Sequence, residues 1–208
     1  MEYSRRNFMK AAGAIAVTTS GVGIVVTGVD HVKATPKPSP LAIPEPITKE
    51  TSIFNINGKA YKAEYEVRTT LWEVIAVKLG LTGTNRSCNR ASCGACSVLI
   101  DGTPFYSCHT LAMEAVGKKI FTVEGLGDEK NLHPLQRVAH LYSAAECGFC
   151  TPGWEVVAKS VLDKNLNPTV EEVKVALSGH ICRCAAYASI VRTVIDTGKI
   201  LRGEAEIA

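Results

Sequence analysis

Eight cysteines lie between residues 88 and 184 of this 208-residue chain, and they divide into two sets of four. Cys88, Cys93 and Cys96 are separated by four and then by two residues, with Cys108 following after eleven more. Cys147 and Cys150 form a C-x2-C pair, and Cys182 and Cys184 a C-x-C pair. Four thiolates complete the shell of a thiophilic metal or a small iron-sulfur cluster, so the chain holds enough sulfur for two such sites. Disulfides compete for the same residues where the count is even and the protein is exported. Cys182-Arg183-Cys184 is too short to close comfortably on itself. Structural zinc would draw on paired C-x2-C knuckles; the second set comes near that pattern and the first does not.

The x4-then-x2 spacing is that of plant-type ferredoxins, in which one loop wraps a [2Fe-2S] cluster and supplies three thiolates. In such a loop Gly94 keeps side-chain bulk away, and inward-turned backbone N–H groups donate to the sulfurs, which stabilises the extra electron. A Rieske centre needs histidines in place of two cysteines, and His109 beside Cys108 supplies no C-x-H pair. No nucleophile or general base stands out. Thiolate-bound iron is the chemistry on display, and no catalytic residue is expected.

The rest of the chain must deliver and position these thiols. Ser4-Arg5-Arg6-Asn7-Phe8-Met9-Lys10 precedes nineteen uncharged residues, Ala11 to Val29, and then Val32-Lys33-Ala34, an acceptable cleavage site. Residues 1–34 therefore read as a twin-arginine signal peptide, with a periplasmic or otherwise exported destination. That route carries proteins already folded around a cofactor. The alternative is an uncleaved anchor, but the glycines and threonines of the stretch make it weakly apolar, and no stable membrane span is expected after cleavage. Residues 35–50 read as a tether, with five prolines between Thr35 and Pro46. The formal charge is +3, of which residues 1–34 supply four basic and two acidic side chains. With no basic stripe, nucleic acid is not an expected partner.

From Ser52 the pattern is strand-like, turning at Asn57-Gly58 and alternating again through Lys59–Val67. Thr70 and Glu73 form a capping box for a helix that runs to Leu79 and stops at Gly80. SVLI, an Asp101-Gly102 turn, TPFYS and KIFTV add strands, so residues 51–126 read as a small mixed sheet gripping one helix. Over residues 127–202 the period becomes helical. Leu135, Val138, Ala139 and Tyr142 share a face, as do Val156, Val157, Val161 and Leu162; Thr169 and Glu172 cap a third helix; a fourth spans Ser189–Thr197 and closes at Gly198. With 46% hydrophobic residues the chain has material for two small cores, here assigned Trp72 and Trp154. The fold class expected is α+β, a sheet domain followed by a four-helix domain.

CNRASCGACSVLIDG from Cys88, SC at 107–108, GLG at 125, HPLQ at 133, CGFCTPG at 147 and SGHICRCAAY at 178 together resemble the small iron-sulfur subunit of the xanthine oxidase family of molybdenum hydroxylases. The likeness covers Ser52 to Ile200, and the leader and tether are most similar to the periplasmic aldehyde oxidoreductase type. It implies a β-grasp, ferredoxin-like domain holding one [2Fe-2S] cluster through Cys88, Cys93, Cys96 and Cys108. It implies a second cluster in the helical domain on Cys147, Cys150, Cys182 and Cys184, nearer to a molybdopterin cofactor in a separate large subunit. The chain would be a non-catalytic electron-transfer subunit. Electrons from the oxidation of an aldehyde or an N-heterocycle would cross both clusters to a flavin (FAD) subunit, a cytochrome or another acceptor. The alternatives are a stand-alone exported ferredoxin-like carrier and a zinc-stabilised interaction module.

Two positions depart from the family pattern. Glu146 stands where the family commonly has a Gln that approaches the pterin; a carboxylate can accept but not donate there. Ala185 and His180 replace Thr or Gly and Asn. His180 is expected either near the second cluster or facing solvent, and Arg183 either offsets cluster charge, meets the large subunit or lies exposed.

Overall fold

The computed structural model describes residues 48–128 and 130–206; the leader and almost all of the tether lie outside them. Strands β1 (Lys49–Ile56), β2 (Lys59–Glu66), β3 (Ser97–Ile100), β4 (Thr103–Tyr106) and β5 (Lys119–Phe121) form one sheet in the order β2-β1-β5-β3-β4. β1 and β5 run parallel and every other pairing is antiparallel. β1 begins three residues ahead of the Ser52 read from sequence. Lys49, Glu50 and Thr51 are all exposed, so no burial alternation marks them, yet they pair with Glu66, Tyr65 and Glu64.

Both hairpins turn where Asn-Gly and Asp-Gly place two successive positive φ angles: 52° and 76° at Asn57 and Gly58, 49° and 76° at Asp101 and Gly102. Phe54, Ile56, Ala63 and Tyr65 point inward and pack with Leu71, Val74 and Ile75 of the single helix, making the first core. The Thr70 box forms as expected: its amide donates to the Glu73 carboxylate at 2.9 Å, and its hydroxyl accepts from the Glu73 amide at 3.3 Å. The helix differs in pitch. Glu73–Lys78 is a π-helix, closed by the Leu79 amide on the Val74 carbonyl at 3.0 Å.

Four helices follow among the described residues: α1 (Pro134–Leu141), α2 (Thr151–Lys164), α3 (Val170–Ala176) and α4 (Tyr187–Leu201). Pro134 opens α1 at a position whose N–H has no helical partner, and the His133 ring accepts from the Leu135 amide. Thr169 and Glu172 cap α3 reciprocally. Leu135, Ala139, Trp154, Val157, Leu162, Val173 and Val194 build the second core. Trp154 is fully buried. Trp72, read as core, is only half-buried: its indole N–H donates to the Thr84 carbonyl at 2.7 Å, and the Arg86 guanidinium stacks on its face. Gly198 does not end the last helix. α4 runs through it to Leu201, and the glycine is there because the Leu166 carbonyl closes on the position where a Cβ would stand.

β3 is buried along all four residues. One face meets the π-helix core, and α2 packs against the sheet at β3 and β4. Cys96 leads directly into β3 and Cys150 directly into α2, so this single packing contact brings the two thiol sets together. No described helix is long and apolar enough to cross a membrane.

Candidate iron-sulfur sites

All eight cysteines are free thiols. Within each set they meet in twos. Cys88 lies within hydrogen-bonding reach of Cys93, and Cys96 of Cys108; Cys147 reaches Cys184, and Cys150 reaches Cys182. Among the described residues no three His, Cys, Asp or Glu donors converge as the shell of a single ion would. Thiols that neighbour one another in twos within each set are donors that a two-iron cluster would take. The residues present therefore fit [2Fe-2S] clusters.

The loops treat their outer and inner thiols differently. Cys88, half-buried, accepts from the Ser92 amide at 3.4 Å, and that amide with the Arg90 amide lowers its pKa to about 6. Cys147, on the surface, is likewise lowered by the Phe149 amide. Burial pushes Cys96 and Cys150 up to about 12. The inward N–H donors expected of such loops are thus present at Cys88 and Cys147, supplied by residues two or four positions on, where Asn89, Ala91 and Gly148 take positive φ. Cys88, Cys93, Cys147, Cys150 and Cys182 share the lining of one open cleft of about 700 Å³ with Arg90 and Arg183, whose cations suit an anionic tetrathiolate.

Several hydrogen bonds tie the loops across the two cores. The Ile181 amide donates to the Cys93 carbonyl at 3.0 Å, the Asn85 side chain donates to the Phe149 carbonyl at 2.9 Å, and Ser97 Oγ meets His180 Nε2 at 3.1 Å. His180 is therefore neither solvent-facing nor confined to the second set: it is largely buried and bridges back to the start of β3. Arg183 and Glu146 are exposed. So are Phe149, Ile181 and Tyr187, at 47%, 57% and 47%, which leaves an apolar rim around the helical-domain thiols.

Sequence reading did not find the residues that join the sets. Gly153 and Gly179 lie inside the quoted motifs, three residues from Cys150 and Cys182, and that proximity was the available signal. The burial of Glu155 between Trp154 and Val156 left no trace in the pattern.

The descriptions of two family models match in tandem. Residues 54–120 match the 2Fe-2S iron-sulfur cluster binding domain, and residues 122–195 match a [2Fe-2S] binding domain. The chain is 32% identical to the aldehyde oxidoreductase iron-sulfur-binding subunit of Escherichia coli, over 94% of this chain and 88% of that one. It is 38% identical to the aldehyde oxidoreductase of Megalodesulfovibrio gigas over 73% of its own length, but it spans only 17% of that larger protein. The crystal structure of quinoline 2-oxidoreductase from Pseudomonas putida 86 superposes with a TM-score of 0.70 at 39% identity, covering 76% of this chain and 99% of the matched one. With two [2Fe-2S] domains in an α+β fold, the chain belongs to the non-catalytic iron-sulfur subunits of the xanthine oxidase family of molybdenum hydroxylases.

Proposed function

We propose that this subunit carries electrons from a molybdopterin site in a large partner subunit to an acceptor beyond it, during oxidation of an aldehyde or an N-heterocycle. The ligands assigned are Cys147, Cys150, Cys182 and Cys184 on the partner side and Cys88, Cys93, Cys96 and Cys108 on the acceptor side. A bound [2Fe-2S] cluster supplies reversible one-electron chemistry. The chain's own part is to hold each thiol, direct N–H donors at Cys88 and Cys147, and keep the two loops in contact. The observation that carries the reading is the backbone bond from Ile181, beside Cys182, to the carbonyl of Cys93 itself. A stand-alone carrier has no use for a second cluster-bearing domain joined in this way. The exposed Phe149, Ile181 and Tyr187 favour the large subunit as the occupant of that rim, with Glu146 at its edge as the residue facing the pterin. A flavin subunit or a cytochrome is the acceptor class assigned to the ferredoxin-like side.

Low-temperature EPR of the dithionite-reduced protein from its native host, with metal analysis of the same sample, tests the assignment. Two distinct S = 1/2 signals with molybdenum co-purifying are expected. One signal, or zinc in place of iron, would overturn it.

Export by the twin-arginine route is the second part of the proposal, supported by Arg5, Arg6 and the uncharged stretch that follows. Replacing both arginines by lysine should retain the subunit in the cytoplasm. Undiminished periplasmic protein in that variant would refute the proposed export signal.

A further inference from the structure

We propose that Gly94, Gly153 and Gly179 are positioning residues forming a spacer between the two thiol sets, so that the separation of the clusters is set by the close approach their missing side chains allow, main chain against main chain at Gly153. The inference rests on reading both sets as cluster ligands.

Gly94 follows Cys93 with φ +73°, and a Cβ there would lie 2.6 Å from the His180 ring and 2.7 Å from the Gly179 carbonyl oxygen. Real Cβ atoms do not approach other atoms that closely. Gly153 stands in the first turn of α2, three residues past Cys150; a Cβ on it would overlap the Gly94 carbonyl oxygen and sit 3.1 Å from the Ala95 Cα and carbonyl carbon. Gly179, three residues before Cys182, would drive a Cβ into the Tyr106 hydroxyl. The cluster loop of the sheet domain thus meets two glycines of the helical domain, one just after Cys150 and one just before Cys182.

Two features separate this from ordinary close packing. The Gly153 contacts are with main chain, and no rotamer change relieves them. The Gly94 carbonyl is itself fixed, accepting from the Ser97 amide at 3.0 Å and the Ser97 hydroxyl at 2.7 Å. A methyl group at residue 153 must therefore move the loops apart as units, and each loop carries its thiols with it. Gly148, between Cys147 and Cys150, gives the contrast: its φ is +77°, but nothing lies within 4 Å of its Cβ position. It shapes its own loop and spaces nothing.

Electron tunnelling falls off exponentially with distance, and magnetic coupling between two reduced clusters falls with its cube, so both report the spacing directly. The test is EPR of the fully reduced complex, read for the splitting that each cluster imposes on the other, with iron content measured alongside. Gly153→Ala should keep its iron and show a narrowed or lost splitting. Gly179→Ala should narrow it as well, whereas Gly179→Ala combined with Tyr106→Phe, which removes the obstructing hydroxyl, should restore it. An unchanged splitting in iron-replete Gly153→Ala would overturn the proposal. Should Gly153→Ala fail to load, the Gly179 pair decides, and failure of Tyr106→Phe to restore the splitting overturns it equally. Absence of a second cluster signal from the unsubstituted protein would instead sink the underlying assignment of the helical-domain thiols.

Discussion

The amide of Ile181 donates to the carbonyl of Cys93 across the boundary between the two cores, while the Ile181 side chain faces outward and is 57% exposed. The residue thus has two separable faces, one toward the sheet domain and one toward whatever covers the apolar rim. Ile181→Asp leaves the amide in place and puts a charge on the rim. Burying an unpaired carboxylate in a subunit interface costs several kcal/mol. The large subunit should then no longer co-purify, with both cluster signals retained in the free subunit. Retained co-purification would place the interface elsewhere. Phe149→Asp, on the same rim, should behave alike.

Cys150→Ser should remove the helical-domain cluster and leave the other. Cys150 is 8% exposed and pairs with Cys182, whereas the sheet-domain set draws all four thiols from residues 88–108. The expected result is half the iron, one persisting EPR signal and no turnover. Loss of both signals would mean that the sheet domain cannot hold its loop without a loaded neighbour.

Glu155 is 4% exposed in α2, and burial raises its pKa to about 7, opposed by a hydrogen bond with Gln136. Its ordinary value is 4.5. The folded chain therefore keeps a proton that the unfolded chain releases between those values. Stability is full below pH 4.5, declines as pH rises through about 7 and is flat above, a total of about 3 kcal/mol at 1.36 kcal/mol per pH unit. Glu155→Gln should abolish that slope and raise the melting temperature at pH 8 but not at pH 4. Parallel curves for the two proteins in thermal unfolding against pH would refute the assignment.

Gly198→Ala forces a methyl group onto the Leu166 carbonyl, which Arg202 also uses as an acceptor. Overpacking of this kind costs about 1–3 kcal/mol, equivalent to roughly 2–4 °C in melting temperature per kcal/mol for a chain of this size. Thermal unfolding should show the loss with the cluster spectra unchanged. A variant as stable as the parent would mean that the α2–α3 connection yields at Leu166.

Local chemistry was the legible part of this chain. Asn57-Gly58, Asp101-Gly102, the Thr70 and Thr169 boxes and the alternation of Phe54 and Ile56 are decided within a few residues, and each forms as read. Spacing along the chain also puts into one set thiols that neighbour one another, Cys88 with Cys93 and Cys150 with Cys182. Contacts between distant segments were not legible. Gly198 reads as a helix stop because a glycine after an apolar run usually is one; only the position of Leu166, far back in the chain, shows otherwise. His180 offered burial or solvent equally until Ser97 supplied its partner. The π-helical pitch at Glu73–Lys78 lies below the resolution of hydrophobic periodicity.

The strand order has a consequence in time. β5 ends at Phe121 and lies at the centre of the sheet, parallel to β1 on one side and antiparallel to β3 on the other. As the chain leaves the ribosome, residues 88–108 emerge with all four thiols of the first set before the strand that locks their frame has been made. The sheet cannot close until the linker to the helical half is already synthesised. The window in which that loop is complete in sequence and still without its closing strand is therefore built into the topology.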